Sequence, residues 1–233
     1  TVENFLSVFR NLKYATQITE ATREHTEQID NYYLPIINDA LTGRPSLRMH
    51  YHSGRLVIVV TSRRHDWYAE TLGHIFRAVA TAFELDWEEA GRATYRRADS
   101  RVGAEADETF YLGEHAELMA GPTDVDLATQ PPPDVVIEVE LTHSADDALM
   151  TWGKIGVPEI WRFDPNRWRF VFCHRQEDGT YQEDAKSWAL PALTATDVLE
   201  QLKQADMLGK ARWFASLTDW ARAVIVPRRG LRP

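Results

Sequence analysis

Cysteine is almost absent: Cys173 is the single one in 233 residues. One thiol excludes an internal disulfide and any zinc site built from cysteines. Its place in the run Arg169–His174 predicts a small buried hydrophobe, not a nucleophile. Long apolar runs are missing too, none approaching the roughly 18 residues a membrane helix needs. The opening TVENFLSVFRNLK carries charges inside its apolar stretch and has no small-residue cleavage site. No secretory leader is therefore expected, and the cytoplasm is the expected compartment. Positive charge is in deficit: 26 Lys and Arg face 35 Asp and Glu, giving a formal net charge of −9 and a pI near 5.4. A chain that coats duplex DNA through many phosphates is normally basic. The deficit argues against broad DNA packaging but leaves room for a local basic cleft on an acidic exterior. No P-loop, dinucleotide fingerprint, Ser-His-Asp pattern, internal repeat or low-complexity segment occurs.

What is present suits an α/β domain. Hydrophobic residues make up 44% and aromatics 11%, enough for one substantial core with an appendage. The expected division is an N-terminal helical appendage over 1–28, a main domain over 29–225 and a flexible basic tail over 226–233. A helical pattern recurs from Ile29 to Leu41, closed by Gly43, Arg44 and Pro45. Leu47–His52 and Arg55–Thr61 read as a hairpin, and LVIVV in its second arm reads as a central strand. Leu72, Ile75, Phe76, Val79, Ala80 and Phe83 mark the longest helix, over His65–Phe83. Trp87–Arg96 and Glu105–Gly113 read as strands, Arg97–Gly103 and Glu114–Pro133 as loops. Prolines 131–133 forbid helix just before Asp134. Val135–Leu141, Glu159–Asp164 and Arg167–Arg175 are expected strands, with a further short one near Tyr181. Asp146–Ile155 is a short helix with Ser144 as its cap, and 196–222 is helical again.

Chemistry concentrates in VVIEVEL. With a strand period of two, Val136, Glu138 and Glu140 share one face. Two carboxylates about 6–7 Å apart have two explanations. One is polar residues of a half-exposed strand facing water. The other is a hard divalent cation held by a few carboxylates with water completing the octahedron. A third acid could come from a neighbouring strand, and Asp107 in EADETFYL is the natural candidate.

The constellation Asp107…Glu138-Val139-Glu140 resembles the PD-(D/E)xK nuclease superfamily. More narrowly, the chain resembles the bacterial Uma-type family of restriction endonucleases over about residues 32–220. The matching pieces, in order, are RLVIVVTSRRHDW, the long helix, EADETFYL, PPPDVVIEVELTHS and GVPEIWRFDP. The resemblance implies a restriction-endonuclease-like fold, a mixed central sheet flanked by helices. It implies a catalytic set of Asp107, Glu138 and Glu140, with Asp107 and Glu138 as ligands of Mg²⁺ or Mn²⁺. Asp134 matches a second conserved-type Pro-Asp pair and is expected to position the strand. The implied partner is nucleic acid, in the first place DNA, cut by a homodimer without a membrane.

The chain departs from this pattern. Ala106 replaces the Pro before Asp107, and Glu140 stands where the superfamily triplet has Lys. The family's helical Lys, four residues before an aromatic, matches Ala148 before Trp152. Lys154, two residues beyond Trp152, points about 200° away from it on a helix. Two functions follow: a metal-dependent endonuclease, or a non-catalytic binding or assembly module on the same fold. A hydrolase of another phosphodiester is a third. Asp66 and Glu70, one turn apart beside His65 and His74, are possible accessory groups or ordinary polar residues at a helix start. His143 is a loop histidine of structural or phosphate-contacting kind. Arg96 and Arg97, within a cluster with Arg92 and Arg101, and Arg63–Arg64 are candidate phosphate contacts or surface charge. Trp152 and Trp161 are expected in the core.

Overall fold

Short β-branched and aromatic runs divided by turns organise into two sheets. The computed structural model describes residues 16–18, 47–52, 55–60, 62–91, 93–97, 102–122, 124–140 and 146–229. The first sheet is built on the expected hairpin of β2 (Leu47–His52) and β3 (Arg55–Val60). β1 (Thr16–Ile18) pairs with β3, while β6 (Val102–Glu105) joins β2 to β5 (Thr94–Arg97), giving the order β1-β3-β2-β6-β5. LVIVV is thus interior, as its continuous apolar character requires. Thr16–Ile18 corrects the helical reading of residues 1–28 at that point, since these three residues extend a sheet. The rest of that segment, the helix expected over 29–41 and the cap Ser144 lie outside the described residues.

The second sheet contains β4 (Trp87–Glu89), β7 (Glu108–Leu112), β8 (Val135–Val139), β9 (Glu159–Asp164), β10 (Arg169–Arg175) and β11 (Tyr181–Asp184). Their order is β11-β10-β9-β8-β7-β4. β8 and β9 run parallel, which requires a crossover, and α3 (Asp146–Ile155) provides it. The other pairings are antiparallel, so the sheet is mixed.

Helices cover both faces. α1 (Arg63–Ala82) begins at Ser62, whose hydroxyl accepts the His65 N–H at 3.2 Å. Its buried stripe of Leu72, Ile75, Phe76 and Val79 lies on one face, with Phe76 stacked on Phe110 at 3.9 Å between ring centres. On the other face, Trp152 and Ile155 of α3 pack with Tyr95, Tyr111, Val136, Ile160 and Cys173. α4 (Ala195–Leu208), closed at its start by a Thr194–Asp197 capping box, and α5 (Lys210–Trp220) complete the α1 side.

Several expectations need correction. Glu105–Gly113 is not one strand: the chain leaves the first sheet at Glu105 and enters the second at Glu108. Trp87–Arg96 divides in the same way between β4 and β5. Alternation records which residues are buried, not which sheet buries them. Within the expected loop, Glu114–Met119 forms α2, seated by buried Ala116 and Met119. The tail is anchored through Arg229, because Arg228 pairs with Asp197 at 2.9 Å and Arg229 donates to the Phe83 carbonyl at 3.1 Å. Residues 230–233 lie outside the described residues.

Candidate functional site

The change of sheet puts Asp107 at the joint between β6 and β7. Glu108 pairs with Ile137 and Thr109 with Val136, and Asp107 and Glu138 each lie one residue beyond the last of these pairs. Parallel pairing then sets Glu138 beside Arg162 of β9. Val136 and Ile160 pack on the α3 side, and the period of two puts Glu138 and Arg162 on that face as well. Glu138 and Arg162 therefore form a row on that face, extended by Asp107, whose carboxylate reaches the Val139 N–H from just before β7.

Each member is held. Asp107 is only 2% exposed, and its Oδ2 accepts the Val139 N–H at 2.9 Å. The same oxygen lies 3.2 Å from Nε2 of His65, itself 3% exposed and delivered by the first turn of α1. On the far side of that ring, Nδ1 is 3.5 Å from Oδ1 of Asp66. Glu138 accepts the Trp152 indole N–H through Oε1 at 2.6 Å. Glu140 takes the Arg162 Nε–H, and Arg162 Nη1 lies 3.4 Å from Glu183 on β11. Burial alone would lower the Arg162 pKa, but the hydrogen bond to Glu140 carries it above its ordinary value, so the guanidinium stays charged.

The other sequence candidates are placed apart from the row or behind it. Asp134 accepts the Leu112 N–H at 2.8 Å and holds His115 Nδ1 at 2.9 Å, which ties the start of β8 to the end of β7. Glu70 pairs with Lys210 and lies 3.7 Å from His74 Nε2, on the α5 side of the helix. The Lys210 hydrogen bond holds its carboxyl below the usual range. Arg96 lines a cavity of about 740 Å³ with Glu89, Thr94, Tyr111, Met119 and Asp124, and none of the three row residues lines it. Arg97 is its neighbour on β5. Arg92, Arg101 and His143 lie outside the described residues. Cys173, Trp152 and Trp161 are fully buried.

Sequence reasoning did not single out the partners: His65 against Asp107, Trp152 against Glu138, and Arg162 against Glu140. A signal for Arg162 existed. In EIWRFD, Ile160 and Arg162 alternate with Glu159, Trp161 and Phe163, so a cation falls on a largely buried face. As for a metal, no group of three or more His, Cys, Asp or Glu side chains converges among the described residues. Asp107, bonded to the Val139 N–H, and the adjoining Glu138 are carboxylates, the oxygen donors that a hard divalent cation takes with water.

The chain has 13% identity and a TM-score of 0.42 with the crystal structure of a "putative nuclease belonging to DUF820" from Anabaena variabilis, over 65% of this chain and 89% of that one. No curated protein matches the chain. A family model, Uma2, described as "Putative restriction endonuclease", matches residues 37–207. That match spans well over half of the sequence, and the chain belongs to the Uma2 restriction endonuclease family.

Proposed function

We propose that this nuclease-family chain is a Mg²⁺- or Mn²⁺-dependent endonuclease that hydrolyses DNA phosphodiester bonds at Asp107 and Glu138. The observation that carries the reading is the Asp107 carboxylate held at 2.9 Å by the Val139 N–H, the residue next to Glu138, where the β7–β8 ladder ends. The bound ion would supply positive charge at the phosphate and lower the pKa of water there. The chain's own residues hold the donors in place: the Val139 N–H and His65 fix Asp107, and the Trp152 indole fixes Glu138. In the hydrolysis, a water oxygen bonds to phosphorus and the bond to the leaving sugar oxygen breaks. One water proton ends on that oxygen, and the other is released from the new phosphate monoester. The protein is proposed to work in the cytoplasm as a homodimer, which light scattering on the purified chain tests.

A second reading, a binding or assembly module without catalysis, is favoured by one observation. Both acids of the row are already engaged by a protein group, and Arg162 is held by Glu140 in a full ion pair. Calorimetric titration with Mn²⁺ separates the two. The endonuclease reading expects a binding event in the native chain that disappears in Asp107→Ala. Absence of binding in the native chain, or equal binding in both, refutes it.

A further inference from the structure

We infer that Arg162 is the phosphate-contacting cation of the Asp107–Glu138 site, supplied from β9. The inference rests on the nuclease reading above. A phosphodiester brings a negative charge to a place that already holds two carboxylates, and attack by water adds charge to the phosphoryl oxygens. A preorganised cation close by offsets both. In the parallel register of β8 and β9, Arg162 is the residue paired with Glu138. Lys154, by contrast, sits exposed in the last turn of α3. Arg64 is held at 3.1 Å by Asp206.

The surroundings of Arg162 suit the role. Its side chain is 19% exposed, so it is largely desolvated and still reaches the surface. Glu140 and Glu183 take its Nε and Nη1 donors, and a guanidinium has five N–H groups in a planar fork that matches phosphate. Glu183 is fixed in turn by Arg169 Nη1 at 3.1 Å, so the anchor of the guanidinium is itself braced. Glu140 is then a positioning residue: it orients a cation from the next strand. The competing account is that Arg162 only ties β8, β9 and β11 together.

The test is binding of a 20-base-pair duplex in EDTA over a range of salt, followed by cleavage with Mn²⁺. Each phosphate contact on duplex DNA contributes about 0.9 to the slope of log K against log salt. Arg162→Met is expected to make the slope shallower by about 0.9 and to lower kcat by roughly 100- to 1,000-fold, with a smaller change in KM. Arg167→Met is the control for simple charge loss, because Arg167 is 82% exposed in the turn after β9 and is expected to leave the slope unchanged. If Arg162→Met does not fold, Arg162→Met with Glu140→Gln replaces the pair by neutral groups, a change that is commonly near neutral in stability. A folded variant with native slope and native kcat overturns the assignment. A native chain that neither binds nor cuts defeats the nuclease reading itself, which is a different outcome.

Discussion

Glu159, at the start of β9, offers the sharpest energetic test of the fold that carries the site. It is 1% exposed, yet its carboxylate meets four donors. Oε1 accepts the Trp161 indole N–H at 2.7 Å and the Ser187 hydroxyl at 2.6 Å. Oε2 accepts the backbone N–H groups of Trp188 at 2.6 Å and Ala189 at 3.1 Å; His174 Nε2 lies 3.3 Å away without a hydrogen bond. Glu159→Gln preserves shape but replaces one oxygen by an NH₂ group. Whichever way the amide turns, donors on one side face another donor. Orphaning a buried donor costs about 1–3 kcal/mol, and hydrogen bonds to a charged acceptor are worth roughly 1.5–3 kcal/mol. Rotation of the Ser187 hydroxyl recovers part of the loss, so the expected destabilisation is about 3–5 kcal/mol at pH 7. Urea unfolding reads it. With a slope of roughly 2–3 kcal/mol per M, the midpoint drops by more than ~1 M. A change below about 1 kcal/mol would mean that the carboxylate does not bind the segment after β11 to the sheet, and the reasoning fails.

Three further outcomes follow from the same geometry. Trp152→Phe removes the indole donor to Glu138 and leaves a void in a fully buried position. It is expected to cost about 2–4 kcal/mol in denaturant unfolding, and an unchanged stability would deny that bond its role. His74 has a pKa held below 6.5, first by burial and then by Arg77. The unfolded chain therefore binds the proton more readily, so this stability is present above pH 6.5 and is lost as pH falls toward the depressed folded value. His74→Gln should flatten the melting temperature between pH 7 and pH 5, and a parallel shift of the whole curve contradicts the assignment. Burial pushes the Cys173 thiol up to about 12. An aromatic disulfide reagent should react with it only after unfolding, and rapid labelling of the native protein would refute its burial.

The middle of the chain was the most legible part. Val135–Val139, the helix to Ile155 and the strand from Glu159 were all readable from period and punctuation, because a parallel pair with a helical crossover needs two apolar runs with caps between them. Asp107 and Glu138 could be nominated as a pair, but the bond from the Val139 N–H to Asp107 could not, since it depends on a change of sheet at Ala106–Asp107 that alternation does not record. Glu140 looked like a member of the site by face alone; its ion pair with Arg162 is set by the parallel register of β8 and β9, a tertiary fact. Asp66 and Glu70 shared a helix face in sequence, yet His65 links one to Asp107 and Lys210 draws the other to α5. Thr16–Ile18 were invisible as a strand because three residues carry too short a pattern to outweigh the helical spacing read around them in the sequence.

The central claim is hydrolysis at Asp107 and Glu138. Its most direct measurement is nicking of supercoiled plasmid with Mg²⁺ or Mn²⁺ by the native chain and by Glu138→Gln, which keeps an acceptor for the Trp152 indole. The account expects metal-dependent nicking by the native chain and a rate at least ~100-fold lower in the variant. Nicking by Glu138→Gln at the native rate would contradict it.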